Sequence, residues 1–516
     1  MNKKYLILFF FIFLLSRLYF ANSQAVFFDS PEYLTRLSDN NLLNALSSGH
    51  LPLHPGYIMI FWPVYHLAQT FQLPPSFSVI FIQAILAFFG ICCFYQIIKN
   101  LFDKNIALKS SIIASIIPIF WISNSTIMME TTYVSFFLFS FYFFIKYFNL
   151  KYAKILYLFL GIIFLILSFT THLIVILWIP LIIYSVYRTK PENTYKSIIY
   201  LLIAVALGGV VNGHFISILI KSGIINGIFQ LFSSKFGEHA NLSFSLSSVL
   251  IFLRNFTIPL LRNNTLLLTL LSFVFIVYSY LRNKKLFIIL IFWIFPALIT
   301  NQWWDSLLYG RHSLIASFGI ALSVGFTLGK KRLLYYSVIA YLLISTVPTL
   351  QLLKKDTPYI IEAQAVKNLP QNGLFIESHF ARPQLDKVYR GKTIFVEEPG
   401  WSKEALNKEI IDNLESKKPV FISSQALSEP YGLYSGPYLH VLSLSYKKEY
   451  VLKPLVRNFA IQEYKQIDFN DNLSIYKIIS GHSTQYPKIQ NLKYSKHRID
   501  YNDPLIKIWL LVNKEH

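Results

Sequence analysis

The first 350 residues are dominated by about eleven apolar runs, each near the 20 residues that cross a bilayer as a helix. Such runs leave little choice of fold. In hydrocarbon every backbone N–H and C=O must be paired internally, and a helix does this within one segment. The runs lie at about 5–22, 77–98, 107–122, 131–148, 154–170, 173–187, 196–220, 264–281, 285–301, 311–329 and 333–350. They predict a polytopic α-helical membrane protein. Only 14% of the 516 residues are charged and 54% are hydrophobic, whereas a soluble chain carries about a quarter charged residues.

The basic residues orient these spans. Lys99, Lys104 and Lys109 share one connection, Lys146, Lys151 and Lys154 another, and Arg188, Lys190 and Lys196 a third. LRNKK and GKKR supply two more. The alternate connections WISNSTIMME and FTTH hold no Lys or Arg. This is the positive-inside pattern of a multi-pass cell-membrane protein with a cytoplasmic N-terminus at Lys3 and Lys4. It accounts for the formal charge of +21 without a nucleic-acid partner. The first run, interrupted by Arg17, reads as a retained span rather than a cleaved leader. Cys92 and Cys93 are adjacent in an apolar run, a spacing that suits neither a disulfide framework nor a metal site.

Two long outside loops are expected, at 23–76 and 221–263. Within the first, YIMIFWPVYHLAQTF (57–71) is apolar but short and holds Pro63 and His66, as in a juxtamembrane or re-entrant helix. From about 351 the texture becomes that of a soluble domain. NGLFIES, KTIFVEE and KPVFISS read as short buried strands, and SKEALNKEIIDNLESKK as an amphipathic helix. The expected organisation is a transmembrane catalytic domain, 1–350, and an extracytoplasmic α/β domain, 351–516, with an open, partly parallel sheet.

Ionisable residues near span ends fall on the outer side. Asp29, Glu32, His50 and His54 lie in the first loop, and Glu130 opens a span. His172 follows FTT, Glu238 and His239 sit in FGEHA, and Asp305, Arg311 and His312 in WWDSLLYGRH. Such residues are expensive in a membrane and mark functional sites. Asp29 is placed either as a base for an incoming hydroxyl or as the N-cap of the helix that DSPE begins; both roles are compatible. Arg311, beside His312, suits an anion such as a lipid phosphate, or a snorkelling interfacial cation.

The outside DSPEY, the downstream HPGY, the span-opening Glu130 and the His172 after a short turn together resemble the GT-C superfamily of integral-membrane glycosyltransferases. Within it they are similar to the transmembrane protein O-mannosyltransferase group and its bacterial relatives. FGEHANLSF (236–244) is similar to a loop of that group, and GRHSL (310–314) looks like an Arg-aromatic motif of related lipid-A and protein glycosyltransferases. Pro31, Leu53 and His312 depart from the usual patterns. The resemblance covers roughly 1–350 and implies a GT-C-like fold with about 11 transmembrane helices.

It also implies an inverting transfer of a sugar, a hexose such as mannose, from a polyprenyl phosphate to a hydroxyl of a protein or glycan. Asp29 would act as base, with Glu32 and Glu130 shaping the acceptor site. Arg311 would neutralise the departing phosphate, with His54, His172 and His312 lining the substrate site. No nucleotide is expected, no metal ligands are assigned, and dependence on a divalent metal is left open. A transporter or flippase for lipid-linked glycans, a ligase for them, and a non-enzymatic assembly factor stand as alternatives.

Overall fold

The computed structural model describes residues 3–23, 30–48, 54–149, 154–220, 253, 256–257, 260–261, 264–303, 310–329, 331–354, 363–364, 366–378, 388–396, 403–423, 459–468 and 505–513. The chain divides into two compact units: residues 1–23 with 36–351, and residues 24–35 with 352–516. This division differs from the boundary at 350 in that it groups 24–35 with the C-terminal part.

The first unit is helical. Its elements run α1 (Lys3–Tyr19), α2 (Ser30–Ser38, which crosses the division), α3 (Leu42–Ser47), α4 (Pro55–Thr70), α5 (Pro75–Leu101), α6 (Lys104–Ile116), α7 (Pro118–Asn124), α8 (Glu130–Asn149) and α9 (Ile155–Thr171). A 3-10 turn, Leu173–Trp178, leads into α10 (Ile179–Thr189) and α11 (Thr194–Ile220). Then come α12 (Leu266–Arg282), α13 (Lys284–Ile294), α14 (Pro296–Trp303), a 3-10 turn at Gly310–Ser313, α15 (Leu314–Leu328) and α16 (Arg332–Leu353).

Each apolar run read from the sequence is thus a helix or a kinked pair of helices. By length and composition, Pro75–Leu101 and Pro191–Asn212 are sufficient to cross a membrane. The α6–α7 pair, bent by 62°, is a broken span or a re-entrant loop. Other apolar helices, such as Ile155–Thr171 and Leu266–Arg282, are shorter. Among the described residues, helix length alone therefore does not reach the expected count of eleven spans. One reason is visible in the chain: Pro118, Pro180 and Pro296 lack the N–H that would continue a helix, and each opens a new segment within one residue.

The bend at Pro118 leaves carbonyls in the last turn of α6 without helical partners. Arg17 takes one of them, donating from Nη2 to the Ser115 carbonyl. Its guanidinium lies 3.7 Å from the Phe13 ring centroid and 4.6 Å from that of Trp121. The residue that interrupts the first apolar run is therefore buried between aromatic faces and caps a neighbouring helix. Slightly further on, Asn22 N donates to Ser125 O at 2.8 Å, and Asn22 pairs with Thr126 as a short parallel bridge.

Basic residues sit at two helix C-termini, where the helix dipole favours cations. Lys285 Nζ donates to Leu101 O at the end of α5, at 2.5 Å. Lys146, in the last turn of α8, lies 4.2 Å from the Tyr157 ring centroid. The core is aromatic. Phe318 meets Phe94 and Phe120 edge-on at 5.1 and 5.2 Å, and Trp178 Nε1 donates to Trp293 O at 2.8 Å. Helices α6 and α15 cross closely at Gly325, where a Cβ would fall 2.3 Å from Ser110 Oγ.

The second unit holds a five-stranded sheet of β1 (Leu374–Ser378), β2 (Lys392–Val396), β3 (Val420–Ser423), β4 (Phe459–Asp468) and β5 (Leu505–Asn513), with α17 (Lys403–Glu415) before β3. Its order is β2-β1-β3-β5-β4. β1 pairs in parallel with both β2 and β3, and β5 pairs antiparallel with β3 and β4. Leu374, Phe375 and Ile376 on β1 and Val420 and Phe421 on β3 are buried. This continuous burial is what a parallel pair covered on both faces requires.

Candidate functional site

Four of the residues singled out from the sequence, His54, Glu130, His172 and His312, are buried in the first unit. His54 immediately precedes α4 and holds a left-handed backbone, φ 46° and ψ 50°. That is an uncommon conformation for a residue with a side chain, and local strain of this kind gathers at functional sites. Its Nδ1 donates to the Thr171 carbonyl at 2.8 Å. Two residues on, Gly56 packs so tightly that a Cβ would lie 2.6 Å from Thr170 Oγ1 and 2.7 Å from Thr171 N. HPGY therefore docks onto the TTH turn at the end of α9, and glycine is the residue that permits the approach.

His172 closes α9 and opens the following 3-10 turn. Its Nδ1 accepts the Ile174 N–H at 3.2 Å. Its ring lies 5.3 Å from that of His54 and 4.8 Å from that of His312. His172 Nε2 and His312 Nδ1 are 3.1 Å apart and share a hydrogen bond. Tyr133, in the first turn of α8, packs its ring 5.1 Å from His172 and donates its hydroxyl to the His312 carbonyl at 3.1 Å. Ser168 Oγ donates to the Tyr133 carbonyl at 2.7 Å, so α8 and α9 are joined at this level.

Glu130 is fully buried at the N-terminus of α8, where the helix dipole favours an anion. Its charge acts electrostatically on Tyr57 of α4. The Tyr57 hydroxyl donates to Gln83 Oε1 at 2.8 Å. Gln83 Nε2 in turn reaches the carbonyls of Met128 at 3.0 Å, Thr126 at 3.2 Å and Ser123 at 3.5 Å. Gln83 thus fastens the loop that delivers Glu130. Tyr57, Gln83 and Tyr133 were not singled out in the sequence. The one available signal was a carboxamide in the middle of an apolar run.

Glu32 lies on α2 and is partly buried. Arg311 sits in the 3-10 turn beside His312; only its backbone is described. Asp29, His50, Glu238, His239 and Asp305 lie outside the described residues. Among the described residues, no group of three or more His, Cys, Asp or Glu is arranged to hold a metal ion. His172 has Nδ1 occupied by a backbone donor and Nε2 engaged with His312, so it has no lone pair for a cation. What the cluster can do is hold polar substrate groups in an apolar, water-poor setting, where hydrogen bonds and charges act strongly.

Residues 54–214 match the family model described as dolichyl-phosphate-mannose-protein mannosyltransferase, and that segment begins at His54 and contains Glu130 and His172. No curated protein matches the chain. Among solved structures, the oligosaccharyltransferase of Archaeoglobus fulgidus, tethered to an acceptor peptide containing the NVT sequon, is similar in fold. Its TM-score is 0.50 at 11% identity, over 99% of this chain and 89% of that one. ArnT from Cupriavidus metallidurans, bound to undecaprenyl phosphate, gives a TM-score of 0.47 at 12% identity, over 82% and 93%.

Proposed function

We propose that the chain is an inverting glycosyltransferase, moving a hexose such as mannose from a polyprenyl-phosphate carrier to a hydroxyl of a protein or glycan. One coincidence carries the reading. The segment that matches the mannosyltransferase family supplies three of the four buried residues singled out from the sequence, His54, Glu130 and His172, and the rings of the two histidines lie 5.3 Å apart. The acceptor oxygen attacks the sugar's C1, the C1–O bond to phosphate breaks, and the lipid phosphate leaves. The acceptor proton passes to Asp29. Glu32 and Glu130 orient the acceptor, Arg311 and His312 meet the developing phosphate charge, and His54 and His172 line the substrate site. Catalysis is then positioning plus stabilisation of developing charge.

The site faces away from the cytoplasm, as does the C-terminal domain in this reading. The absence of Lys and Arg from WISNSTIMME and FTTH, which border Glu130 and His172, supports that side. The donor is a lipid phosphate rather than a nucleotide sugar. The test is transfer in membranes carrying the wild-type chain or Asp29→Asn, supplied with a panel of radiolabelled polyprenyl-phosphate sugars. Label reaching a protein or glycan fraction with the wild type and not with Asp29→Asn supports the proposal. Equal transfer by both removes Asp29 from the role of base. No transfer from any donor by a folded wild-type chain refutes the glycosyltransferase reading and favours transport or assembly.

A further inference from the structure

The backbone around the imidazole cluster dictates where each proton sits. A carbonyl only accepts and a backbone N–H only donates. His54 Nδ1 faces the Thr171 carbonyl at 2.8 Å, so it carries a hydrogen, and the neutral ring keeps its lone pair on Nε2. His172 Nδ1 faces the Ile174 N–H at 3.2 Å, so it is bare. The proton of a neutral His172 is then on Nε2. That nitrogen lies 3.1 Å from His312 Nδ1 and must be the donor, which leaves His312 Nδ1 bare and its proton on Nε2. The hydrogen bonds run one way, from Ile174 N–H to His172 to His312. Two of the three rings thus carry opposite polarity at Nε2: an acceptor on His54 and a donor on His312.

We infer that His172 is a positioning residue that fixes the tautomer of His312, so that His312 Nε2–H donates to the phosphate oxygen of the departing lipid carrier. This rests on the glycosyltransferase reading. His172 engages both of its ring nitrogens within the protein, and Tyr133 holds the His312 main-chain carbonyl at 3.1 Å. A tautomer set by a neighbour is a known way for a residue outside the reacting atoms to control rate, because the wrong tautomer presents a lone pair where a proton is needed.

The decisive comparison sets His172→Glu, His172→Leu and His172→Gln beside the wild type in the full-length chain. Glu places an acceptor opposite His312 Nδ1 and forces a proton onto that nitrogen. Leu removes the lock. Gln places an amide N–H near the old Nε2 and keeps the direction of the bond. The tautomer is read by nitrogen-15 NMR of histidine-labelled protein in detergent, with His312→Gln assigning the signal among the 12 histidines.

The wild type is expected to show His312 protonated at Nε2, and His172→Glu to show a proton at Nδ1. With polyprenyl-phosphate mannose as donor, kcat is expected to fall on the order of a hundredfold in His172→Glu and His172→Leu, the size of losing one transition-state donor. The donor KM should change far less, and His172→Gln should recover part of the rate. Should His172→Leu fail to fold, the Glu and Gln variants decide. A wild-type His312 protonated at Nδ1 overturns the inference whatever the activity. So does a His172→Glu variant whose tautomer flips while kcat holds. A wild-type chain that transfers no sugar refutes the functional reading, and the tautomer assignment is then judged by NMR alone.

Discussion

The phenol of Tyr57 and the carboxamide of Gln83 form one buried hydrogen bond, 2.8 Å long, and through it the HPGY helix and the loop before Glu130 are fastened to the same point on α5. Gln83 spends its other end on main-chain carbonyls at 126 and 128. Gln83→Leu would strand a buried hydroxyl and these carbonyls, at about 1–3 kcal/mol for each group left unpaired. The expected outcome is a clear drop in the melting temperature of the detergent-solubilised protein. Gln83→Glu keeps an acceptor for Tyr57 but turns a carboxyl group on the same buried carbonyls, so it too should melt below the wild type. A Gln83→Leu protein as stable as the wild type would mean the carboxamide is not the fastening.

Arg17 offers a less intuitive comparison. Its guanidinium is stacked on Phe13 and bonded to the Ser115 carbonyl, with no carboxylate partner among the described residues. Lys keeps the charge but cannot stack or fork as a guanidinium does. Met removes the charge and with it the desolvation burden, keeping apolar contact with Phe13 and Trp121 while losing the cap and the Ser16 hydrogen bond. Arg17→Lys should therefore destabilise the protein more than Arg17→Met. Thermal melts of the two variants in one detergent decide the order, and the reverse order would show that charge outweighs shape here.

Gly56 and Gly325 separate fold from site. A Cβ at Gly56 meets Thr170 Oγ1 at 2.6 Å, and one at Gly325 meets Ser110 Oγ at 2.3 Å and Ser110 N at 2.7 Å. Alanine at either should cost about 1–3 kcal/mol through overpacking. Only Gly56→Ala also pushes His54 off the TTH turn, so it should lower sugar transfer beyond its loss of folded protein. Transfer per folded molecule, normalised by size-exclusion yield, is the measurement. Equal specific activities for the two variants would uncouple the HPGY docking from the site.

Tyr389, in the second unit, has its phenol bonded to the Pro370 carbonyl at 3.0 Å. Burial pushes its titration upward, against a main-chain hydrogen bond from Gly373 that pulls it down. A group whose folded pKa is raised lends stability below its unfolded value, about 10 for tyrosine, and loses it as pH rises through the folded value. Tyr389→Phe should be less stable than the wild type by about 1 kcal/mol at neutral pH, and the gap should close above pH 10. Denaturant melts at pH 8 and in alkaline buffer check the sign.

Much of the helical frame was legible because hydrophobic run length is a strong signal: α8 starts at Glu130 and α9 stops at His172, where polarity changes abruptly. KTIFV and VFIS are strands for the same reason, a short apolar run between turn residues. The interior of the site was not legible. His172 and His312 are 140 positions apart, and no local pattern announces a pairing of that range. Gln83 hides in a run whose average is apolar. Arg17 read only as an interruption, because its partner carbonyl at 115 exists only once α6 is broken by Pro118.

That same contact bears on the order in which the protein is built. α1 is made before α6, yet the carbonyl it caps lies 98 positions downstream, and the bridge from Asn22 waits for Thr126. At synthesis rates of about 5–20 residues per second, the first helix spends roughly five to twenty seconds in the insertion machinery with a buried-to-be cation unmet. Its final seat therefore waits until α6 and the turn at residues 125–126 have been made.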